Sequence, residues 1–560
     1  MAIEITGIDD LLALEERLKR LWQPRNDLIE EMRRLRFMEN VPQVTGADLE
    51  PELVVTPICY QLVERMVGTL TADPVRVTVT PSGESDKAGE QASDVERWIH
   101  GALRKLADQA DDDVLERFVE SLIADGHACM SLLWAPQIWS EYPKRRRGQK
   151  DAEYNEITDQ WVRENKWPIC WRWVDALAVY PLWSEAGLEL VLETDRRDPL
   201  QLHPERYNRL TDADGEYRPE LWELVRTAAS TDGPVTFRQL WTRDRLIYAV
   251  GDTIVHDEEH GYSQPPYIYA MGNRVSTQDP AKMGLSQLYA LRYLQPYFDR
   301  LISQKGTAVR LWAWPTLIHE QAAYGAPAQT GVPSADNRSE ESNMLEIRPG
   351  NVIPIGAGEK LYFLGWQGNG PDMDEQIQLV HGMMQQAGLP GVMYGDAGGV
   401  DTGYAINQLI QAARMKLKPL LAHAKRAMEQ WASLLLEIVE TKARQRLYIY
   451  DAKVRGKRGG RWIGLGPEDI RGYRNVQIEL QPVLPTDKYA NSSRVINEKN
   501  AGLRSARSSM EEIGIQYPDE EERRMLIEAW KQSPEVRQFL IHEALKRAGM
   551  RLKAPQTTPA

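Results

Sequence analysis

The chain has 560 residues, more than one hydrophobic core usually serves, so its length predicts several domains. A hydrophobic content of 42% and a charged content of 27% are typical of a folded protein; no apolar run is long enough for a membrane span, and the first residues lack a signal-peptide pattern. The net charge of −13 excludes a simple DNA-binding module, because such modules are usually basic.

The first 283 residues combine amphipathic helices with short strands. Residues 8–36 carry leucines at helical spacing on both sides of Pro24 and predict two surface helices. The basic run KRRRGQK at 144–150 allows either a nucleic-acid patch or a solvated loop, and the loop is the favoured interpretation. Further helices are predicted at 57–72, 87–108 and 112–125, strands at 75–81 and 129–134, and mostly β structure from 167 to about 275.

The middle of the chain shows two helical patterns around a small island of strands. Over 284–312 apolar residues recur at spacings of three and four, which predicts a helix roughly 40 Å long with a possible kink at Pro296. Residues 313–370 contain strand-like pieces around a flexible insert at 322–335, rich in Gly, Ala and Pro. A second helix is predicted at 371–387, where acidic residues near its start suit the helix dipole.

A glycine-rich stretch, AGLPGVMYGDAGGVDTGYAINQL at 387–409, follows that helix. A simple helical hairpin needs only a few loop residues, so this stretch predicts more than a connector. The next apolar stripe, about 404–445, continues straight past Pro419, which predicts one kinked helix rather than two. Strands are predicted within 446–484, charged helices within 485–550 and disorder at 551–560.

Motifs for catalysis and metal binding are missing from the sequence. It contains no GxxxxGK[ST], HExxH or GxSxG and no EF-hand loop. His256 and His260 are four residues apart but have no further ligands near them in sequence, and the three cysteines show no CxxC spacing. We therefore expect no catalytic residue, no bound metal and no cofactor, and interpret the chain as an architectural protein.

Four stretches of the chain are informative because of the order in which they occur. FVESLIADGHACMSLLW (118–134) looks like a helix that ends at a glycine before a strand. HGYSQPPYIYAMGNRVSTQDPAKMGLSQLYAL (260–291) looks like a proline-bearing strand followed by a loop and a G-x-S helix start. AGLPGVMYGDAGGVDTGYAINQLIQ (387–411) and SMEEIGIQYPDEEERRMLIEAW (509–530) follow. In this order they resemble the portal proteins of tailed bacteriophages, the head–tail connector family, over about 45–550. The insert at 322–335 departs from the family pattern.

The resemblance implies an α+β fold and a ring of about twelve identical subunits at one capsid vertex, through which double-stranded DNA enters and leaves. It implies the large terminase subunit, a head–tail adaptor, and the major capsid and scaffolding proteins as partners, with assembly in the host cytoplasm, a final place in the virion and no membrane. The implied parts are an α/β wing (1–283, with strands at 446–484), stem helices (284–312 and 371–388), a clip (313–370), a tunnel loop (389–403), a long kinked helix (404–445), a helical crown (485–550) and a disordered tail (551–560).

The resemblance also assigns candidate site residues. The channel-lining candidates are Arg300, Lys305 and Arg310, which either face DNA or pair with acidic residues of neighbouring subunits. The clip docking candidates are Trp312, Trp314 and Trp366, unless they pack the clip's own core. Pro419 is the kink of the long helix. The tunnel-loop residues implied to face DNA are Val392, Met393, Tyr394, Asp396, Gly398, Gly399, Val400 and Asp401.

Two other classes of function remain open at this point. Another virion ring protein, such as a head-completion or tail component, would also lack a catalytic site, but it would not explain the order helix, island, helix, glycine loop, long helix. An enzyme acting on nucleic acid, such as a nuclease, would need clustered carboxylates to hold metal ions.

Overall fold

The computed structural model mixes helices with small antiparallel sheets, and this confirms the predicted α+β class. The residues that the structure describes are 5–42, 52–71, 75–83, 85–135, 143–197, 234–277, 279–280, 282–313, 317–320, 360–363, 373–388, 403–451, 461–480, 488–513, 515 and 518–533.

The helices and strands are numbered in chain order. The α-helices are α1 (Ile8–Arg36), α2 (Ile58–Thr71), α3 (Asp86–Ala110), α4 (Val114–Ala124), α5 (Asp151–Glu164), α6 (Leu294–Ala313), α7 (Met373–Ala387), α8 (Gly403–Thr441), α9 (Pro467–Ile470), α10 (Lys488–Asn500), α11 (Ala506–Ile513) and α12 (Pro518–Gln532). The strands are β1 (Arg76–Val79), β2 (His127–Trp134), β3 (Ile169–Val174), β4 (Val179–Ser184), β5 (Gly187–Arg197), β6 (Val235–Trp241), β7 (Arg245–Val250), β8 (Thr253–Glu259), β9 (Tyr267–Met271), β10 (Leu317–Glu320), β11 (Lys360–Phe363), β12 (Leu447–Asp451), β13 (Arg461–Leu465) and β14 (Val476–Glu479).

The chain divides into two compact units, each of which collects distant parts of the sequence. Unit 1 consists of Met1–Met32, Leu62–Gln287 and Pro390–Ala560, and unit 2 consists of Arg33–Gln61 and Leu288–Leu389. Unit 1 contains an antiparallel meander in the order β4-β5-β6-β7-β8 and a three-stranded sheet in the order β3-β2-β9. It also contains the pairs β1-β14 and β12-β13, so strands from the last quarter of the chain pack with its first half.

Helix α1 is one continuous helix, and the prediction of two surface helices separated at Pro24 is wrong. Proline removes one backbone hydrogen bond from a helix, but packing of an apolar face can outweigh that loss. Trp22 and the fully buried Arg25 anchor the helix on both sides of the proline, because Arg25 donates to the carbonyl oxygen of Val179 at 3.0 Å. The buried cluster joins α1 to the meander through Ile5, Leu11, Leu14, Leu18, Trp22, Tyr180, Leu190, Leu192, Leu240, Ile247 and Ala249.

Helix α8 runs through Pro419 without interruption, which confirms the prediction of a single helix. It ends at Thr441, four residues before the predicted end. One side of the helix is buried in unit 1, where the Trp431 ring lies 5.1 Å from that of Trp171 on β3. The buried apolar stripe comprises Leu417, Leu420, Ala424, Met428, Trp431, Leu435 and Ile438.

Gly126, Gly272 and Gly284 lie close together, near the end of α4, the start of β2 and the end of β9. Gly126 follows α4 with φ +76°, the left-handed conformation that favours glycine after a helix. A Cβ atom on Gly126 would lie 2.5 Å from the Ser286 amide nitrogen, and one on Gly284 would lie 2.6 Å from the Gly126 carbonyl oxygen. The Gly272 amide donates to that same oxygen at 2.8 Å. The first two stretches that carry the family resemblance are therefore in direct contact.

This junction explains why the first predicted stem helix begins late. The expected start was Gly284, but α6 begins at Leu294 after a 3₁₀ turn at Tyr289–Leu291. The Gln287 amide donates to the Ile123 carbonyl oxygen of α4 at 2.9 Å. This bond takes the place of the intrahelical hydrogen bond that a helix beginning at Gly284 would require. With 20 residues, α6 is about 30 Å long. Pro296 lies in its first turn, where a missing N–H leaves no intrahelical bond unmade, so it requires no kink.

Candidate functional site

Helices α6 and α7 form an antiparallel pair in unit 2. The rings of Phe298 and His381 stack with their centroids 5.9 Å apart, the Tyr297 hydroxyl donates to the Gln376 side-chain oxygen at 3.3 Å, and Lys305 forms an ion pair with Asp374. From Phe298 to Lys305 the contacts advance along α6, while their partners move back along α7 from His381 to Asp374. The two helices therefore run side by side in opposite directions.

The strands β10 and β11 join the far ends of this helix pair. They pair antiparallel, with Leu317 opposite Phe363 and Glu320 opposite Lys360. The chain thus goes out along α6, continues through one strand, returns through the other and comes back along α7. The described part of the predicted island is therefore a strand pair at the end of a helical hairpin, as the order of the sequence patterns predicts.

A third chain segment, the extended residues 52–57, lies along α6. We call it the strap. The Glu52 amide donates to the Thr307 hydroxyl at 3.0 Å, and the Val54 amide donates to the Ser303 hydroxyl at 2.9 Å. The Asp299 carboxylate accepts from both the amide and the hydroxyl of Thr56, at 3.0 and 2.6 Å. The helix thus holds the strap by its backbone, through polar side chains.

These hydrogen bonds form a ladder because two different repeats nearly coincide. Every second residue of an extended chain advances about 6.6 Å, and every fourth residue of an α-helix advances about 6 Å along the same side. Strap amides two residues apart therefore meet helix side chains four residues apart. The helix members of this ladder are Gln295, Asp299, Ser303 and Thr307.

The centre of the ladder is buried, and this burial shifts the pKa values of two groups. Gln295, Asp299 and Ser303 are each no more than 2% exposed. Burial raises the pKa of the Asp299 carboxyl, while its hydrogen bonds from Thr56 act in the opposite direction. Burial, with a smaller effect of the Asp299 charge, raises the pKa of the Cys59 thiol to about 12. Cys59 is therefore an unreactive thiol at neutral pH.

Two of the three predicted channel cations form ion pairs within their own chain. Lys305 pairs with Asp374, and an Arg310 nitrogen lies 3.2 Å from a Glu52 carboxylate oxygen. Both cations thus have an acidic partner within the chain, and their role in a channel remains a prediction. Arg300 is exposed and forms no ion pair among the residues that the structure describes. It lies three residues after the exposed Tyr297, on the same side of α6, and the exposed Tyr293 stands just before the helix.

The remaining predicted site residues are placed only in part. The backbone of Trp312 belongs to the last turn of α6. Trp314, Trp366 and all eight tunnel-loop candidates from Val392 to Asp401 lie outside the described residues. The DNA-facing role of the loop therefore remains a prediction, as does any role of the tryptophans in docking.

The described residues contain no group of three or more His, Cys, Asp or Glu side chains that could hold a metal ion. None of the described helices has the length and apolar character that a bilayer span requires.

No protein-family model matches the sequence, and no curated protein matches it significantly. Among solved structures, the chain is similar to the neck of an empty gene transfer agent (GTA) particle computed with C6 symmetry, with 13% identity, a TM-score of 0.40, and coverage of 82% of this chain and 90% of that chain. It is similar to the virion of the native GTA particle, with 12% identity, a TM-score of 0.38, and coverage of 83% and 91%. It is also similar to the neck of the native GTA particle computed with C12 symmetry, with 12% identity, a TM-score of 0.39, and coverage of 82% of this chain and 90% of that chain.

The strap is the feature of this site that the sequence patterns did not predict. A signal for it is present, because four polar residues of α6, namely Gln295, Asp299, Ser303 and Thr307, recur at every fourth position. Such a stripe is also typical of a solvated helix face, and its partners lie about 240 residues earlier in the chain. Only the fold distinguishes the two interpretations.

Proposed function

We propose that this chain is a portal protein: about twelve copies form a ring at one capsid vertex, and the ring is the channel through which double-stranded DNA is packaged and ejected. The single observation that carries the proposal is the helical hairpin of α6, β10, β11 and α7, followed by the long helix α8. A ring of such hairpins can surround a channel with helices and present its strand pairs at one end.

The charges on the hairpin are compatible with a duplex that must move. A wholly basic wall would hold DNA phosphates and stall movement. Here the charges of Lys305 and Arg310 are balanced by acidic residues of the same chain, so Arg300 is the remaining candidate for a basic ring. The chain as a whole carries a net charge of −13, which also disfavours tight retention of DNA.

The finer assignments belong to the same proposal. The glycine-rich loop at 389–403 would project into the channel and follow the sliding duplex. The clip around β10 and β11 would bind the packaging terminase during filling and a head–tail adaptor afterwards, and capsid and scaffolding proteins would surround the ring in the virion.

Electron microscopy of the purified full-length chain tests the proposal. We expect rings of about twelvefold symmetry with a central hole. A stable monomer, or an assembly without a hole, would contradict it. Incubation with DNA and magnesium provides a second check, because cleavage would favour the nuclease alternative.

A further inference from the structure

The basic run at 144–150 is an ordered turn and not a loose loop. The Gln149 amide donates to the Arg146 carbonyl oxygen at 3.1 Å, and the Arg146 amide donates to the Gln149 side-chain oxygen at 3.1 Å. Gly148, with φ +85°, occupies the position at which a type II turn needs a positive φ. The turn therefore has a fixed shape before any partner binds.

Arg145 is the cation that maintains this shape. Its guanidinium donates to the Gln149 carbonyl oxygen at 3.1 Å, forms an ion pair with Asp151 at the start of α5, and lies 5.8 Å from the centroid of the Tyr154 ring. The Tyr154 hydroxyl in turn donates to the Pro143 carbonyl oxygen at 3.0 Å. Both ends of the turn are thus attached to helix α5.

The other four cations of the turn point to a partner outside the chain. Lys144, Arg146, Arg147 and Lys150 are all exposed, and within the described ranges none of them forms an ion pair. Four uncompensated positive charges within seven residues are a local exception in a chain with a net charge of −13. They create a positive potential that attracts a polyanion.

The side chains of the turn favour a phosphate backbone over an acidic protein surface. Residues 144–151 read KRRRGQKD and include no apolar side chain. A specific protein interface normally has an apolar core from which lysine is depleted, whereas contacts to phosphates are made by Arg and Lys without an apolar core. We propose that the turn is a binding site for the backbone of double-stranded DNA, independent of base sequence. It belongs to unit 1, whereas the channel candidates of the proposed function belong to unit 2.

A charge-matched pair of variants tests this site in the full-length protein. The cluster variant combines Lys144→Gln, Arg146→Gln, Arg147→Gln and Lys150→Gln and leaves Arg145 in place. The control variant has the same net charge and replaces four dispersed cations of unit 1 that are exposed and form no ion pair among the described residues: Lys87→Gln, Arg104→Gln, Lys166→Gln and Arg243→Gln. Anisotropy of a labelled duplex of about 24 base pairs, measured over a series of salt concentrations, reports binding.

We expect the cluster variant to bind the duplex at least about tenfold more weakly than the wild type at about 50 mM salt, and its log–log salt slope to be smaller by about 3 to 4. The control should stay within about twofold of the wild type, because dispersed charges contribute little beyond the Debye length. Equal losses in the two variants would overturn the proposal, as would an unchanged cluster variant. Polyglutamate that displaces the duplex at equal charge concentration would also overturn it, in favour of an acidic protein partner.

Discussion

Replacing Asp299 by alanine should release the strap from α6. The substitution removes the acceptor of two hydrogen bonds from Thr56, at 3.0 and 2.6 Å, and a bond to a charged group contributes about 1.5–3 kcal/mol. It also relieves the cost of burying a carboxylate, whose pKa is already raised by that burial. We therefore expect the free energy of opening the strap to fall by about 2–3 kcal/mol, which corresponds to about 30- to 150-fold faster exchange of its amides.

Hydrogen exchange of a peptide covering residues 52–57 measures this loss directly. The matched control is Asp299→Asn, which retains an acceptor oxygen for Thr56, removes the charge and replaces the oxygen 3.4 Å from the Gln295 side-chain nitrogen by an NH2 group. We expect exchange in the Asn variant to stay within about fivefold of the wild type. If the alanine variant exchanged at the wild-type rate, the ladder would not be what holds the strap.

The pH dependence of the strap provides an independent check on the same carboxyl group. Because the pKa of Asp299 in the folded protein is raised above its ordinary value of 3.8, the folded state binds this proton more tightly than the unfolded state. The contribution of Asp299 to stability therefore increases as the pH falls through the folded pKa towards 3.8. Exchange corrected for its intrinsic pH dependence should not accelerate on acidification. If acidification accelerated exchange in the wild type but not in the Asn variant, the contribution of Asp299 to stability would decrease as the pH falls, contrary to this prediction.

Three further predictions concern other parts of the molecule. Gly126→Ala should lower the free energy of unfolding by about 3 kcal/mol in chemical denaturation, because the left-handed backbone and the short contact both add strain, whereas Gly68→Ala, in open helical space, should be neutral or stabilising. Arg300→Ala should alter DNA packaging by assembled proheads, whereas Lys305→Ala should change stability by less than about 1 kcal/mol, because its ion pair with Asp374 is exposed. Alanine at both positions 398–399 should leave ring assembly intact but reduce packaging, since a stiffer loop follows the duplex less well.

Each of these predictions has a clear contrary result. Equal stabilities of the Gly126 and Gly68 variants would mean that the glycine junction adapts without cost. Normal packaging by the Arg300 variant would remove it as a channel residue. Full packaging by the 398–399 variant would contradict a mobile loop.

The sequence predicted elements well wherever one apolar stripe decides the structure. In α8 the stripe from Leu417 to Ile438 continues across Pro419, and the helix does the same. In α1 the apolar positions also continue on both sides of Pro24, but a proline inside a helix is by itself a signal for a break. The apolar cluster with the meander, which outweighs the proline, involves residues more than 150 positions away and is invisible to local patterns.

The start of α6 and the strap were missed for a related reason. The periodic residues 284–293 were interpreted as helix because no local signal shows that Gln287 donates to Ile123, or that Gly284 must approach Gly126. The strap has no periodic side-chain pattern, since its ladder bonds come from backbone amides and from one side chain, that of Thr56. Of the candidate site, the sequence predicted the hairpin but not the segment that covers one side of it.

The ladder fixes the residue spacing along α6 but places few requirements on the side chains of the strap. Since the bonds from Glu52 and Val54 come from backbone amides, many side chains could stand at those positions, with proline as the clear exception. Along α6 the opposite holds. One residue inserted between Asp299 and Ser303 would rotate every later ladder side chain by about 100° and leave its strap amide without an acceptor. In related chains we therefore expect the strap to vary except at Glu52, which pairs with Arg310, and Thr56, whose hydroxyl donates to Asp299. The spacing of four within α6 should stay fixed.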